Sequence, residues 1–155
     1  MAEEPKRWDP AARQEVYGEL DHPADLFVEV WGNDLPSLFK NALFALYDQL
    51  AELEGFEAKR TETITVQAPS NAEALRALLS EALYRFETEG FVAVRADIAV
   101  DTEEGRVQVT AHLDGETLDR RRHTLLTEVK AVTYHQLAVE TVPEGGWRAT
   151  LLFDV

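Results

Sequence analysis

Two stretches with helical apolar spacing, set among stretches that only alternate, constrain this chain more than any other feature. Leu35, Leu38, Phe39, Ala42, Leu43, Leu46, Leu50 and Leu53 recur at the steps that line one face of a helix. Asp34 offers an N-cap, Pro36 is tolerated in the first turn, and Gly55 ends the run. Leu75, Leu78, Leu79, Ala82, Leu83 and Phe86 repeat the pattern behind Ser70-Asn71-Ala72-Glu73, which has capping-box spacing, and Gly90 is a stop signal. Leu26-Phe27-Val28-Glu29-Val30-Trp31 is β-branched and aromatic and reads as a strand stopped by Gly32. Ile64, Val66 and Ala68 alternate, as do Val92 to Val100 and Val107 to Leu113, with Glu103-Glu104-Gly105 turning the chain between the last two. Residues 17–20 suit a short strand, 128–135 an extended segment, and 137–142 with 147–153 a hairpin about Pro143-Glu144-Gly145-Gly146. Strand, helix, strand, helix and then a run of strands predicts an α+β single domain, with two helices packed on one face of a largely antiparallel sheet. The length, 155 residues, suits one domain. Residues 1–14 are polar, contain two prolines and have no period, so a mobile extension is expected there and the domain over 15–155.

The net charge is −14, from 29 acidic and 15 basic residues. Such a surface repels phosphate backbones, so tight direct binding of RNA or DNA is not expected. It suits solubility, divalent cations or a basic protein partner. No apolar run approaches the ~20 residues that cross a bilayer. Met1-Ala2-Glu3-Glu4 is acidic without an apolar h-region, so neither membrane nor signal peptide is expected, and the location is cytoplasmic. The chain has no cysteine, which leaves oxygen and imidazole as the only metal ligands.

No phosphate-cradling glycine loop, HExxH, HxH or GxSxG occurs. His112 is in phase with Gln108 and Thr110 on the polar face of its strand and reads as a solvated residue. His22, His123 and His135 carry no local signal that separates a structural role from a chemical one. Arg120-Arg121-Arg122-His123 is the strongest basic run; it reads as a solvated loop, or as a grip for a phosphate or an acidic partner. Asp21-His22-Pro23-Ala24-Asp25 sets two carboxylates around a histidine and fits a turn, a metal site or an acid–base pair. Asp154 closes an apolar strand, where a lone buried charge is costly unless a cation pairs with it. Val155 follows it and adds a terminal carboxylate, so Asp25, Asp154 and Val155 are candidate oxygen ligands.

From Tyr17 to Val155 the sequence resembles the archease family. The carriers are Asp21-His22-Pro23-Ala24-Asp25, the helical stretch 42–48, Phe86-Glu87-Thr88-Glu89-Gly90-Phe91-Val92, Thr127-Glu128-Val129-Lys130-Ala131-Val132-Thr133-Tyr134-His135, and Phe153-Asp154-Val155. The resemblance implies a non-catalytic protein cofactor of the RtcB-type RNA ligase of tRNA splicing and RNA repair, promoting its guanylylation and multiple turnover. It implies a divalent-ion site, usually read as calcium, with ligands at Asp25, Asp154 and Val155. It puts Lys130 in a ligase-assisting role, with Asp21, His22 and His135 holding the turn or facing the partner. Two positions depart from the family pattern: Pro23 stands where threonine is usual, and Leu126 where a basic residue is common. The other readings are a metal-dependent hydrolase built on Asp25, Asp154 and His22, and a general chaperone or scaffold binding through a sheet edge.

Overall fold

The computed structural model describes residues 5–20 and 25–155. Asp21, His22, Pro23 and Ala24 lie outside the described residues. The elements run β1 (Tyr17–Leu20), β2 (Leu26–Gly32), α1 (Leu35–Leu50), β3 (Arg60–Ala68), α2 (Asn71–Glu89), β4 (Phe91–Glu103), β5 (Arg106–Thr117), β6 (Ala131–Val132), β7 (Ala138–Thr141) and β8 (Trp147–Asp154), with 3-10 turns at Pro10–Glu15 and Leu53–Gly55. The α+β class is as expected, and every strand pair is antiparallel. The strands divide into two sheets rather than one. The first has the order β1-β2-β8, with β6 and β7 both paired to the far side of β8; the second has the order β3-β5-β4.

Helix α1 packs against β2 and β8 of the first sheet and β4 of the second, and α2 against β3, β5 and β6. This explains why residues 42–48 of α1 are buried without a break. A helix hidden on nearly all sides belongs in a core rather than on a surface. Both helices start at side-chain caps: Asp34 accepts from the Ser37 N–H at 2.8 Å and Ser70 Oγ from the Glu73 N–H at 3.2 Å. Helix α1 ends at Leu50, short of the Leu53 expected from spacing. Ala51 turns extended there (φ −156°) and bridges to Leu125, while Leu53 stays in the core from the 3-10 turn. Helix α2 ends at Gly90, whose φ of 72° is left-handed backbone that glycine adopts without steric cost.

The register of β4 slips between Ala93 and Arg95, opposite Gly115 of β5. A Cβ on Gly115 would lie 1.9 Å from the Val92 carbonyl oxygen, so only glycine fits the bulge.

Two further expectations need correction here. The first is the mobile extension, because residues 5–14 are packed on the domain; residues 1–4 lie outside the described residues. Trp8 is only 8% exposed, stacks on Phe44 at 5.5 Å between ring centroids, and its backbone N–H donates to the Val94 carbonyl. Arg7 donates to the carbonyls of Phe56 and Leu53, and Arg13 grips Asp48. A single large aromatic gives a polar segment its anchor without leaving a periodic signal. The second is the extended reading of 128–135. Only Ala131 and Val132 pair in a sheet, and the chain then turns at Tyr134–Gln136, where Gln136 has a φ of 56°.

Candidate functional site

Strands β2, β8 and β6 converge at one corner of the first sheet. Leu26 pairs with Phe153, so Asp25 and Asp154 flank the same rung of the β2–β8 ladder. On the other side of β8, Ala131 pairs with Asp154, and the Lys130 N–H donates to the Asp154 carbonyl at 2.7 Å. The fold therefore brings Asp25, Lys130, Asp154 and Val155 to one corner from three separate parts of the sequence. Asp154, Val155 and Lys130 are exposed and Asp25 is half-buried. This corrects the expectation of a buried charge at Asp154: the last core side chain of the strand is Phe153, and Asp154 lies just past it.

The turn after β6 fixes the neighbourhood. Arg76 of α2 donates to the Val132 carbonyl at 2.9 Å, and its guanidinium lies 3.7 Å from the centroid of the exposed Tyr134 ring. The Thr133 N–H donates to Leu152, and Thr150 Oγ1 to the Gln136 carbonyl. His135 is exposed, its N–H donating to Thr133 Oγ1 and its Nε2 lying 3.3 Å from Gln136 Nε2. Asp21 and His22 lie outside the described residues. Nothing in the sequence marks Arg76, and Tyr134 stands out only as part of the stretch 127–135; α2 and the β6 turn are far apart in the chain, so no local pattern links them.

Among the described residues no three His, Cys, Asp or Glu side chains cluster as a metal site. The corner thus offers a pair of carboxylates beside backbone carbonyls. Two carboxylates fall short of the closed tetrahedral set of structural zinc; an ion held there would take its remaining ligands from carbonyls and water.

The remaining candidates separate cleanly. His112 is exposed, with Nδ1 3.0 Å from Thr63 Oγ1, as its place on the polar face predicts. His123 is buried and stacks on Phe56 at 3.7 Å. Its Nδ1 accepts from the Asp119 N–H at 2.8 Å, which leaves Nε2 as donor, 3.3 Å from Glu116 Oε1. Glu116 also accepts from the Glu57 N–H and from Arg122, and Lys59 Nζ lies 3.2 Å away. Burial pushes the Glu116 carboxyl up, but these donors outweigh it and hold the pKa down at about 2. Arg122 and His123 of the basic run therefore serve the fold, and Arg120 and Arg121 remain exposed. A second buried carboxylate, Asp48, accepts from Arg13 Nε at 2.6 Å and Nη2 at 3.1 Å, and from the Tyr17 hydroxyl at 2.6 Å.

Among the described residues no helix is long and apolar enough to cross a membrane. The model of the Archease protein family (MTH1598/TM1083) matches residues 17–155. Protein archease of Pyrococcus abyssi is 29% identical over 150 residues, covering 97% of this chain and 99% of that protein. Protein archease of Methanosarcina barkeri is 32% identical, covering 90% and 95%, and that of Archaeoglobus fulgidus 34%, covering 83% and 92%. The solution structure of Methanobacterium thermoautotrophicum Protein 1598 superposes with a TM-score of 0.78 at 23% identity, covering 90% of this chain and 98% of that one, a likeness of fold.

Proposed function

Because the chain belongs to the archease family, we propose that it is a non-catalytic protein cofactor of an RtcB-type RNA ligase, promoting guanylylation and multiple turnover in tRNA splicing and RNA repair. The observation that carries this reading is the family match over residues 17–155, which takes in every residue of the β2–β8–β6 corner. The physical character of the chain supports it. A charge of −14 favours contact with a basic, RNA-handling enzyme over contact with RNA. In this reading the protein works in the cytoplasm and no residue of the chain is catalytic.

The corner has a division of labour in this proposal. Asp25, Asp154 and Val155 hold the divalent ion, calcium in the first instance, with oxygen ligands. The ion supplies a fixed positive charge to an otherwise acidic corner. Lys130 needs only its backbone for the sheet, so its exposed ammonium is presented to the ligase or its bound nucleotide. His135, on the turn braced by Thr133, Thr150 and Arg76, meets the same partner, as do Asp21 and His22.

The test is RNA joining by a cognate ligase under single- and multiple-turnover conditions, with and without this protein and with and without chelator. The expected result is faster guanylylation and restored turnover on addition of the protein, lost on chelation and regained with calcium. Unchanged turnover and guanylylation on addition would reject the reading. A gain that survives chelation would remove the ion from it and leave the helper role standing.

A further inference from the structure

Among the described residues, every arginine except two has a hydrogen-bond or ion-pair partner for its guanidinium. Arg7 and Arg76 bond backbone carbonyls, Arg106 bonds Gln67, and Arg13, Arg60, Arg85, Arg95, Arg122 and Arg148 bond carboxylates. The exceptions among the described residues are the side chains of Arg120 and Arg121. With 29 acidic side chains in the chain, two adjacent exposed guanidinium groups without a partner are a departure from its own pattern.

Their loop is held firmly. The Asp119 carbonyl accepts from the N–H groups of Arg122 and His123, and Asp119 Oδ1 from the Arg121 N–H. His123 is pinned between the Asp119 N–H, Glu116 and the Phe56 ring, and Arg122 is tied to Glu116. Glu116 and Asp119 are thus engaged within the loop, which presents Arg120 and Arg121 on a pre-ordered backbone. Binding to such a surface forfeits little ordering entropy.

Two grooves meet at Arg120. One, of about 910 Å³, is shared by Arg120 and Arg121 with Lys59, Arg60 and Leu118. The other, of about 580 Å³, is lined by Leu50, Phe86, Leu118, Leu125 and Leu126 together with Arg120, and its wall also carries Glu87 and Glu128. Leu125 and Leu126 are 37% and 53% exposed, so this side of the loop offers apolar surface next to positive charge.

We propose that these adjoining grooves form a docking surface for a segment of a partner protein in which carboxylates stand beside large apolar side chains. The carboxylates lie over Arg120 and Arg121, whose planar groups suit bidentate pairing. The apolar side chains lie over Leu125 and Leu126. A nucleic-acid strand is the poorer occupant: its charge continues past the basic groove into a chain of net charge −14, and it has no use for the leucine patch. A second copy carries the same net charge and meets the same repulsion. The surface leads along residues 127–130 to the β2–β8–β6 corner, yet the proposal does not depend on the function assigned to that corner.

The experiment uses the full chain and fluorescence anisotropy with three labelled probes: a short synthetic peptide rich in Glu and Leu, the same peptide with Gln for Glu, and an oligouridylate of equal length. The Glu/Leu peptide is expected to bind, and more weakly as salt rises. R120E/R121E is expected to raise its Kd about tenfold or more, with thermal stability unchanged because neither guanidinium has a partner among the described residues, and Leu126→Ser to raise it several-fold. No binding of that peptide, equal binding of the Gln peptide, or equal binding by R120E/R121E overturns the proposal. Oligouridylate binding lost in R120E/R121E, without peptide binding, makes it a nucleic-acid surface and also overturns it. So does sedimentation that shows self-association abolished by R120E/R121E.

Discussion

The backbone N–H of Lys130 donates to the Asp154 carbonyl at 2.7 Å while the Lys130 side chain stands exposed. One residue thus closes the sheet corner with its main chain and leaves its charge for another use. Lys130→Ala is expected to change unfolding free energy by no more than about 0.5 kcal/mol, as surface substitutions usually do. The same variant is expected to lose much of the stimulation of ligase turnover. Lys130→Pro removes the N–H and its bond to the Asp154 carbonyl, and is expected to destabilise by about 1 kcal/mol or more. Thermal denaturation beside the turnover assay separates the two effects; a stable Lys130→Ala protein with full stimulation would take Lys130 out of the mechanism.

Asp25 and Asp154 flank one rung of the β2–β8 ladder, so an ion held between them links two strands. Ligand that binds only the folded state stabilises it by mass action, by about 2.7 kcal/mol at a hundredfold excess over Kd. Calcium is therefore expected to raise the Tm of the native chain. Asp25→Asn and Asp154→Asn should each abolish the rise, and the ion-free Tm of the exposed Asp154→Asn variant should stay close to native. Differential scanning calorimetry with and without calcium measures this independently of any ligase. An unaltered calcium response in both variants would dismiss the corner as the ion site.

Glu116 makes acid stability measurable at one residue. Its carboxyl is lowered from 4.5 to about 2 by the Glu57 N–H, Arg122 and Lys59, which outweigh the opposing effect of burial. A group depressed in the folded state contributes stability that is fully present above its unfolded pKa and is lost as pH falls through its folded one. Its contribution should therefore be complete above about pH 4.5 and fade toward pH 2. Glu116→Gln should be less stable than the native chain at neutral pH, with the difference shrinking across that window. Urea denaturation at a series of pH values gives the difference directly; a constant offset would show that the carboxylate charge is not what stabilises the loop.

What was legible in the sequence is what short-range physics determines. The caps at Asp34 and Ser70, the left-handed stop at Gly90 and the alternation of β4 and β5 need only their neighbours. The early end of α1 did not show, because Ala51 leaves the helix to bridge to Leu125, a contact distant in sequence. The division into two sheets rests on which strands pair, and alternation is the same in either sheet. Asp25 and Asp154 stand out as candidate oxygen ligands, but nothing in the sequence spacing shows that they meet; their shared rung comes from the non-local β2–β8 pairing. Nothing local marks Asp48 beyond its place in the 42–48 stretch, and its partner Arg13 sits in the segment expected to be mobile.

That clamp yields the last prediction. The Asp48 side chain is 4% exposed and holds two contacts from Arg13 and one from the Tyr17 hydroxyl. Burial together with the Asp48 carboxylate pushes the Tyr17 hydroxyl pKa up, so it remains a donor throughout the accessible pH range. Arg13→Ala leaves the carboxylate buried with Tyr17 as its remaining side-chain donor. Because half of the Arg13 side chain is solvated, the cost should fall at about 1–3 kcal/mol, below that of breaking a fully buried pair. Deleting residues 1–14 removes Trp8 from its stack on Phe44 as well, and should cost more than Arg13→Ala alone. Chemical denaturation of the three chains decides it: a truncated protein as stable as the full chain would mean that residues 5–14 add nothing to the core they cover.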